Sequence, residues 1–271
     1  MKKWLKKHKN FNFIAGSIIT GVLLLTVLIG IFVTPYDTTS MSVADKFAKP
    51  SFAHWMGCDN YGRDILSRVM EGMGNTFLIA VLTVLIGTVF GVIIGALCGY
   101  FGGLLDDILM RINDVLFSFP SILLALVIIS LLGTGRLNVT LALGIAFIPS
   151  FARIVRSEVK KQCSLDYVKS ASLMGAGDMR IIFVHILPNI MPVLLSSVAI
   201  GFNNAVLAES SMSYLGLGVQ PPDPSLGRML NEAQAYLLRA PWYALSTGLA
   251  VILLVLGFGL LSEGFGGEGH A

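Results

Sequence analysis

Long runs without Asp, Glu, Lys or Arg divide the chain. They cover residues 10–36 (27 residues), 72–105 (34), 115–135 (21), 137–152 (16), 181–208 (28) and 240–262 (23). A helix needs about 20 apolar residues, within a range of roughly 17–25, to cross a bilayer. Five runs reach that length alone. The short one, 137–152, is completed by residues 153–159 if Arg153 and Arg156 extend to the headgroups. The 72–105 run is long for one span and short for two. Gly99, Gly102 and Gly103 bracket Tyr100 and Phe101 near its end, which predicts one helix over about 76–98 and then a turn. Apolar residues are continuous within the runs, as in 22–28, 123–132 and 249–256, whereas barrel strands alternate. The pattern predicts an all-α integral membrane protein with six transmembrane helices.

Composition agrees. Of 271 residues, 55% are hydrophobic and 13% are charged, against about 25% charged in soluble domains. The mean hydropathy is +0.77. Disorder, a coiled coil and a small disulfide scaffold are excluded. Cys58, Cys98 and Cys163 fall at three different depths and form no CxxC. Charge placement gives the orientation. The first ten residues hold five lysines, and residues 153–185 hold six bases. Six spans put both segments on one side, which the positive-inside rule makes cytoplasmic. The C-terminus falls on that side too. Residues 34–75 carry four bases against five acids, as an outer loop does. The organisation expected is a basic N-terminus and first helix (1–34), an outer segment with an interfacial helix (35–75), a five-helix core (76–262) and a Gly-rich cytoplasmic tail (263–271). The first apolar stretch is too long for a cleaved signal and ends at Thr34-Pro35, so it is read as a retained span.

Enzyme signatures are missing. There is no HExxH, no GxSxG and no Gly-Lys dipeptide, hence no P-loop. His8, His54, His185 and His270 are scattered, so no metal site is expected. Two segments carry polar chemistry inside apolar surroundings. The fifth span holds Asn203, Asn204, Glu209 and Ser213. Glu209 either lines a path or sits at the outer rim, hydrated or bonded to Ser213; an intramembrane acid is a functional hypothesis by default. The inner loop, 160–189, predicts a short helix started by Asp166 and ended by Gly175 and Gly177, with Val168, Ala171 and Ser172 on one face. Elsewhere, Asp64 is placed to cap a helix starting at Ile65. Asp107, Arg111 and Asp114 are spaced for pairing within the third helix, and Pro120 falls inside its apolar run. Tyr100, Tyr214, Tyr236, Trp242 and Tyr243 lie near span ends, as interfacial aromatics do.

The inner loop resembles the EAA motif of binding-protein-dependent ABC importer permeases. Aligned on Gly175, the triplet is Lys169-Ser170-Ala171, and Leu187-Pro188 fit the end of the motif. Lys169, Ser170 and His185 depart from the general pattern, but the run from His185 to Asn189 is similar to the peptide and nickel subgroup. Gly57, Asp59, Gly62, Arg63, Asp64 and Ser67 resemble that subgroup's G-T-D-x-x-G-R-D-x-x-S segment, with Cys58 in place of Thr. Arg111, Asp114 and Pro120, then Glu209, Ser213, Gly216 and Gly218, match further segments.

The resemblance implies a MetI-like, type I importer fold in the cell membrane, closest to the C-type permease of dipeptide and oligopeptide systems. It implies a homologous permease partner, two ATP-binding subunits that use ATP and Mg, and an extracytoplasmic solute-binding protein, with no cofactor or nucleic acid bound by this chain. It assigns Asp166, Tyr167, Ser170, Ala171, Gly175, Gly177, Leu187 and Pro188 to a loop that couples the ATPase to the spans. The cargo is a peptide or, alternatively, nickel or a metal chelate. The tail departs from the family in having no basic residue. An ion-coupled carrier would favour internal repeats and several intramembrane ionisable groups, and a membrane enzyme would need clustered His, Asp or Glu. Both stand as weaker rivals.

Overall fold

The computed structural model describes the backbone of residues 11–266 and the side chains of residues 14–262. The N-terminal lysines and residues 267–271 of the Gly-rich tail lie outside the described residues. The described chain has no named strand. Its helices are α1 (Phe11–Phe32), α2 (Ile65–Phe101), α3 (Gly103–Phe117), α4 (Ser121–Leu132), α5 (Arg136–Cys163), α6 (Asp166–Leu173), α7 (Asp178–Arg180), a π-helical turn (Ile181–Ile186), α8 (Leu187–Tyr214), α9 (Leu226–Gln234) and α10 (Pro241–Gly266). Five of these stretches are long and apolar enough to cross a membrane, and the bent pair α3–α4 is long and apolar enough for a sixth when its two helices are taken together as one span.

Helix α2 organises the bundle. Gly87, Gly91, Gly95 and Gly99 recur every four residues, so they share one face. That face lies on α5. A Cβ at Gly91 would sit 2.4 Å from Phe151 Cβ, and one at Gly95 would sit 2.5 Å from the Ala152 carbonyl oxygen. From the other side, Gly144 of α5 admits Ile86, with 2.9 Å left for a Cβ. In lipid, where apolar side chains gain little by leaving their solvent, such backbone-to-backbone packing is a main source of helix association. Around it, Ile79, Val84, Leu143, Phe147, Phe151, Phe202 and Met212 fill the central core. On the outside, α1 leans on α10 and α2 and keeps Ile18, Val22, Leu25 and Ile29 exposed, as a lipid-facing helix does.

The structure departs from the sequence expectation in five places. Helix α2 starts at Ile65 and runs unbroken for 37 residues, about 55 Å. The expected interfacial helix is therefore the first part of the span, because Asp64 caps it and nothing after the cap interrupts it. The span of 115–135 is split: α3 and α4 meet at 89°. Pro120 has no N–H to continue α3, and it caps α4, where that loss is harmless. Span five begins earlier, at Asp178, and passes through the π turn before Pro188 and Pro192. The loop after α8 holds a further helix, α9, capped by Ser225, whose Oγ accepts from Arg228 N at 3.3 Å. Tyr243 is fully buried and donates to Glu232 at 3.1 Å, so it is no interfacial aromatic.

Leucine at Gly91 should collide with Phe151 and separate α2 from α5. Overpacking of this kind costs about 1–3 kcal/mol or more. We expect Gly91→Leu to lose folded protein in membranes and to lower the unfolding temperature in detergent. Gly21→Leu, where nothing lies within 4 Å of the added carbon, should not.

Candidate functional site

Three regions hold the residues singled out in the sequence. The first is the basic end of the bundle. Helix α6 packs there and buries Val168 and Ala171; Ser172, expected on the same face, is exposed. These two side chains join a satellite core made by Val155 and Val159 of α5, Ile181, Ile182 and Ile186 of the π turn, and Ile190 and Leu194 of α8. Gly175 ends the α6 turn with φ +81°, and Gly177 opens α7 rather than closing α6. Pro188 cannot donate to the turn before it, and a π turn takes its place. Side chains satisfy what is left. Asn189 Nδ2 donates to the His185 carbonyl at 2.6 Å and lies 3.3 Å from Tyr167 Oη. Tyr167 Oη donates to Gln162 Oε1 at 2.7 Å. A polar latch thus joins α5, α6 and the head of α8. Asp166 is exposed and near Lys169, 3.5 Å away. Ser170 is exposed as well.

The second region is a cavity of about 750 Å³, bounded by the α3–α4 corner, α5 and α8. Its polar lining is Ser118, Ser121, Ser150, Ser197, Asn204 and Ser211, set among apolar side chains, with no ionisable residue. The volume suits a small-molecule site. Of the four path candidates, only Asn204 lines it. Asn203 faces α10, where its amide meets Val255 O and Gly259 N at 3.3 and 3.2 Å. Glu209 and Ser213 are fully buried on another side of α8. Ser213 Oγ donates to Glu209 Oε1 at 2.6 Å, and the hydroxyls of Thr76, Ser210 and Ser225 surround the carboxyl group. Glu209 Oε2 has no hydrogen-bond partner. Gly218 and Gly227 let the loop and α9 close over this group; added carbons would sit 2.0 Å from Ser213 Oγ and Ser210 O.

The third region is the opposite end. Asp59 Oδ1 accepts from Tyr61 N and Arg63 N at 2.8 and 3.0 Å, and Oδ2 from Arg63 Nε at 2.7 Å. Arg63 and Arg68 both reach Glu232 Oε2, at 3.1 and 3.5 Å, and Arg228 reaches Oε1 at 3.1 Å. Asp64 caps α2 through Ser67 N at 2.8 Å and pairs with His54 at 2.9 Å. Gly57 and Gly62 turn the chain with φ +75° and +77°. Gly216 does the same after α8, with φ +82°. Burial, with the nearby charges of Asp64, Asp45 and Asp59, pushes the Cys58 thiol up to about 12. Sequence reasoning missed Glu232, one of whose partners, Arg63, stands 169 residues away. It also missed Asp106, which takes Arg156 in a two-pronged pair, both bonds 2.5 Å. The expected pairs of Arg111 do not form among the described residues. Asp114 instead meets Arg153 at 2.6 Å, because the basic end of α5 lies alongside α3.

Residues 87–265 match the family of binding-protein-dependent transport system inner membrane components. The chain belongs to that family. It is 38% identical to the glutathione transport system permease protein GsiD of Pectobacterium atrosepticum, over 97% of this chain and 87% of that protein. It is 33% identical to the dipeptide transport system permease protein DppC of Haemophilus influenzae, over 96% and 90%. The fold is similar to that in an inward-facing structure of the MetNI methionine ABC transporter, with TM-score 0.58 and 19% identity over 71% of this chain and 91% of that one. A second crystal form gives 0.59 and 18%, over 72% and 93%. This permease therefore has the type I importer fold and is a multi-pass protein of the inner membrane. It is not an ATPase; hydrolysis belongs to partner subunits, and a substrate-binding protein completes such a system.

Two outcomes follow from this geometry. Tyr167→Phe and Asn189→Ala should loosen the same latch. Their effects on equilibrium unfolding should be non-additive, with a coupling of about 0.5–1.5 kcal/mol; additive effects would show that no latch exists. Cys58 should resist alkylation at pH 9 in the folded permease and react after denaturation. The fold favours its protonated form, so this contribution to stability is full below about 9 and erodes as the pH rises towards about 12.

Proposed function

We propose that this permease forms one half of the path by which peptides enter the cell, paired with a homologous permease and opened by alternating access. The observation that carries the reading is mechanical continuity. Helix α6 shares a satellite core with the head of α8, and the far half of α8 lines the cavity with Asn204 and Ser211. Movement of α6 is thereby movement of the cavity wall. Leu173 and Met174 stand almost wholly exposed at the end of α6, 89% and 82%, which suits docking into a groove of an ATP-binding subunit. Asp166, Ser170 and the turn at Gly175 complete that surface. ATP and Mg stay with the ATP-binding subunits, and this chain holds no cofactor. The solute-binding protein meets the opposite end, which the Asp59–Glu232 cluster keeps rigid.

The cavity supports peptide over metal as cargo. It offers hydroxyls, one amide and apolar surface, which suit a peptide backbone and mixed side chains. It offers no carboxylate, imidazole or thiol to replace the water shell of a nickel ion. Selectivity beyond this belongs to the solute-binding protein.

The test is uptake by proteoliposomes holding the permease with its partner subunits. Labelled dipeptide should accumulate with ATP, and nickel should not. Gly175→Val adds a side chain in open space but strains a backbone of φ +81°. It should leave the complex assembled and reduce uptake at least about tenfold, a change of roughly 1.4 kcal/mol in coupling. Uptake of nickel without peptide, or full uptake by the Gly175 variant, would overturn the reading.

A further inference from the structure

A second cleft, of about 590 Å³, opens between α1 and α2 and shares no lining residue with the cavity. Its walls are apolar: Leu24, Val27, Leu28 and Ile31 of α1 face Phe77 and Leu78 of α2. Lining residues along α1 run from Leu24 to beyond Phe32, a rise of about 12 Å. That is most of one leaflet, since the whole hydrocarbon core is about 30 Å thick. One end of the cleft is polar. It holds Glu71, two turns into α2, and Arg136, the first residue of α5. These lie near the end where α1 finishes and α2 and α5 begin, which is one membrane boundary. Glu71 and Arg136 are not within ion-pair distance of each other. Neither side chain has an ion pair or hydrogen bond among the described residues.

We propose that this cleft binds one phospholipid whose headgroup carries both a phosphate and a primary ammonium. An acyl chain lies between α1 and α2, the phosphate meets Arg136, and the ammonium meets Glu71. The two unpaired charges are of opposite sign and flank one apolar slot, which is the charge pattern of such a headgroup in reverse. Guanidinium is the side chain best matched to phosphate, with two parallel N–H donors. Glu71 supplies the discrimination. A choline headgroup has no N–H to donate, and a purely anionic one sets negative charge against the carboxylate. The slot also has a use in the fold. Gly30 approaches Met70 and Gly74 approaches Val27, so small residues hold α1 near α2 along the floor of the cleft, while Leu28 and Ile31 stay exposed along its side, where a chain of lipid would lie.

Native mass spectrometry of the assembled transporter tests this, after incubation with vesicles of equal parts phosphatidylethanolamine, phosphatidylcholine and phosphatidylglycerol. The wild-type complex should retain phosphatidylethanolamine in preference to the other two. Glu71→Gln should reduce the preference over phosphatidylcholine about tenfold. Arg136→Gln should lower retention of all three, and Arg136→Lys should restore part of it. Leu28→Trp should fill the slot and exclude lipid while leaving Glu71 and Arg136 in place. Equal retention by wild type, Arg136→Gln and Leu28→Trp would overturn the proposal. So would efficient cross-linking of a cysteine at position 28 to the homologous permease in membranes, since protein would then cover the cleft.

Discussion

The close approach of α2 and α5 is the constraint on which the rest depends. Four glycines at four-residue spacing let the α5 backbone come to within van der Waals distance of α2. Nothing larger fits at Gly91 or Gly95. Because apolar burial gains little inside a bilayer, this contact carries stability that side-chain transfer supplies in a soluble core. It also sets geometry. With α2 and α5 locked, α8 and α10 pack on the remaining faces, and α3–α4 is left as the element that can bend away. The cavity lies where that bend leaves room.

The two ends of the bundle are held by different forces. At the end where α2 begins, a largely buried cluster of Asp59, Arg63, Arg68, Glu232 and Tyr243 ties the turn before α2 and the start of α2 to α9 and α10, with 169 residues between Arg63 and Glu232. Buried charges of this kind are costly to separate, since each left alone would lack solvent. At the basic end the joint is a small patch of aliphatic side chains with a few exposed hydrogen bonds around Tyr167. Such a joint can slide or tilt at modest cost. The bundle is thus stiff at one end and compliant at the other, the asymmetry on which the proposed coupling draws.

The sequence made legible whatever is local. Six apolar runs, the Asp64 cap and the short helix at Asp166 all rest on neighbouring residues. The coupling role proposed for the inner loop rests on its resemblance, and the packing of Val168 and Ala171 against α5 and α8 emerges only once the chain is folded. Long-range pairs were not legible. Asp106 finds Arg156 fifty residues on, and Glu232 finds Arg63 across most of the chain. Glu209 shows the same limit from the other side. Its bond to Ser213 is local, but the hydroxyls of Thr76 and Ser225 come from distant segments, and they decide that it faces the interior and not the cavity. The glycine spacing in α2 is plain in the sequence; the helix it receives is not.

The corner at Pro120 has a consequence for hydration. Where α3 stops and α4 starts, the helical ladder is interrupted and backbone carbonyls lose their donors. Hydrocarbon cannot satisfy such groups, so a broken span is tolerated only beside protein or water. The corner at Pro120 lies on the wall of the serine-lined cavity, which is where water can meet those carbonyls. A single proline in this way fixes which side of α3–α4 must be turned from the lipid.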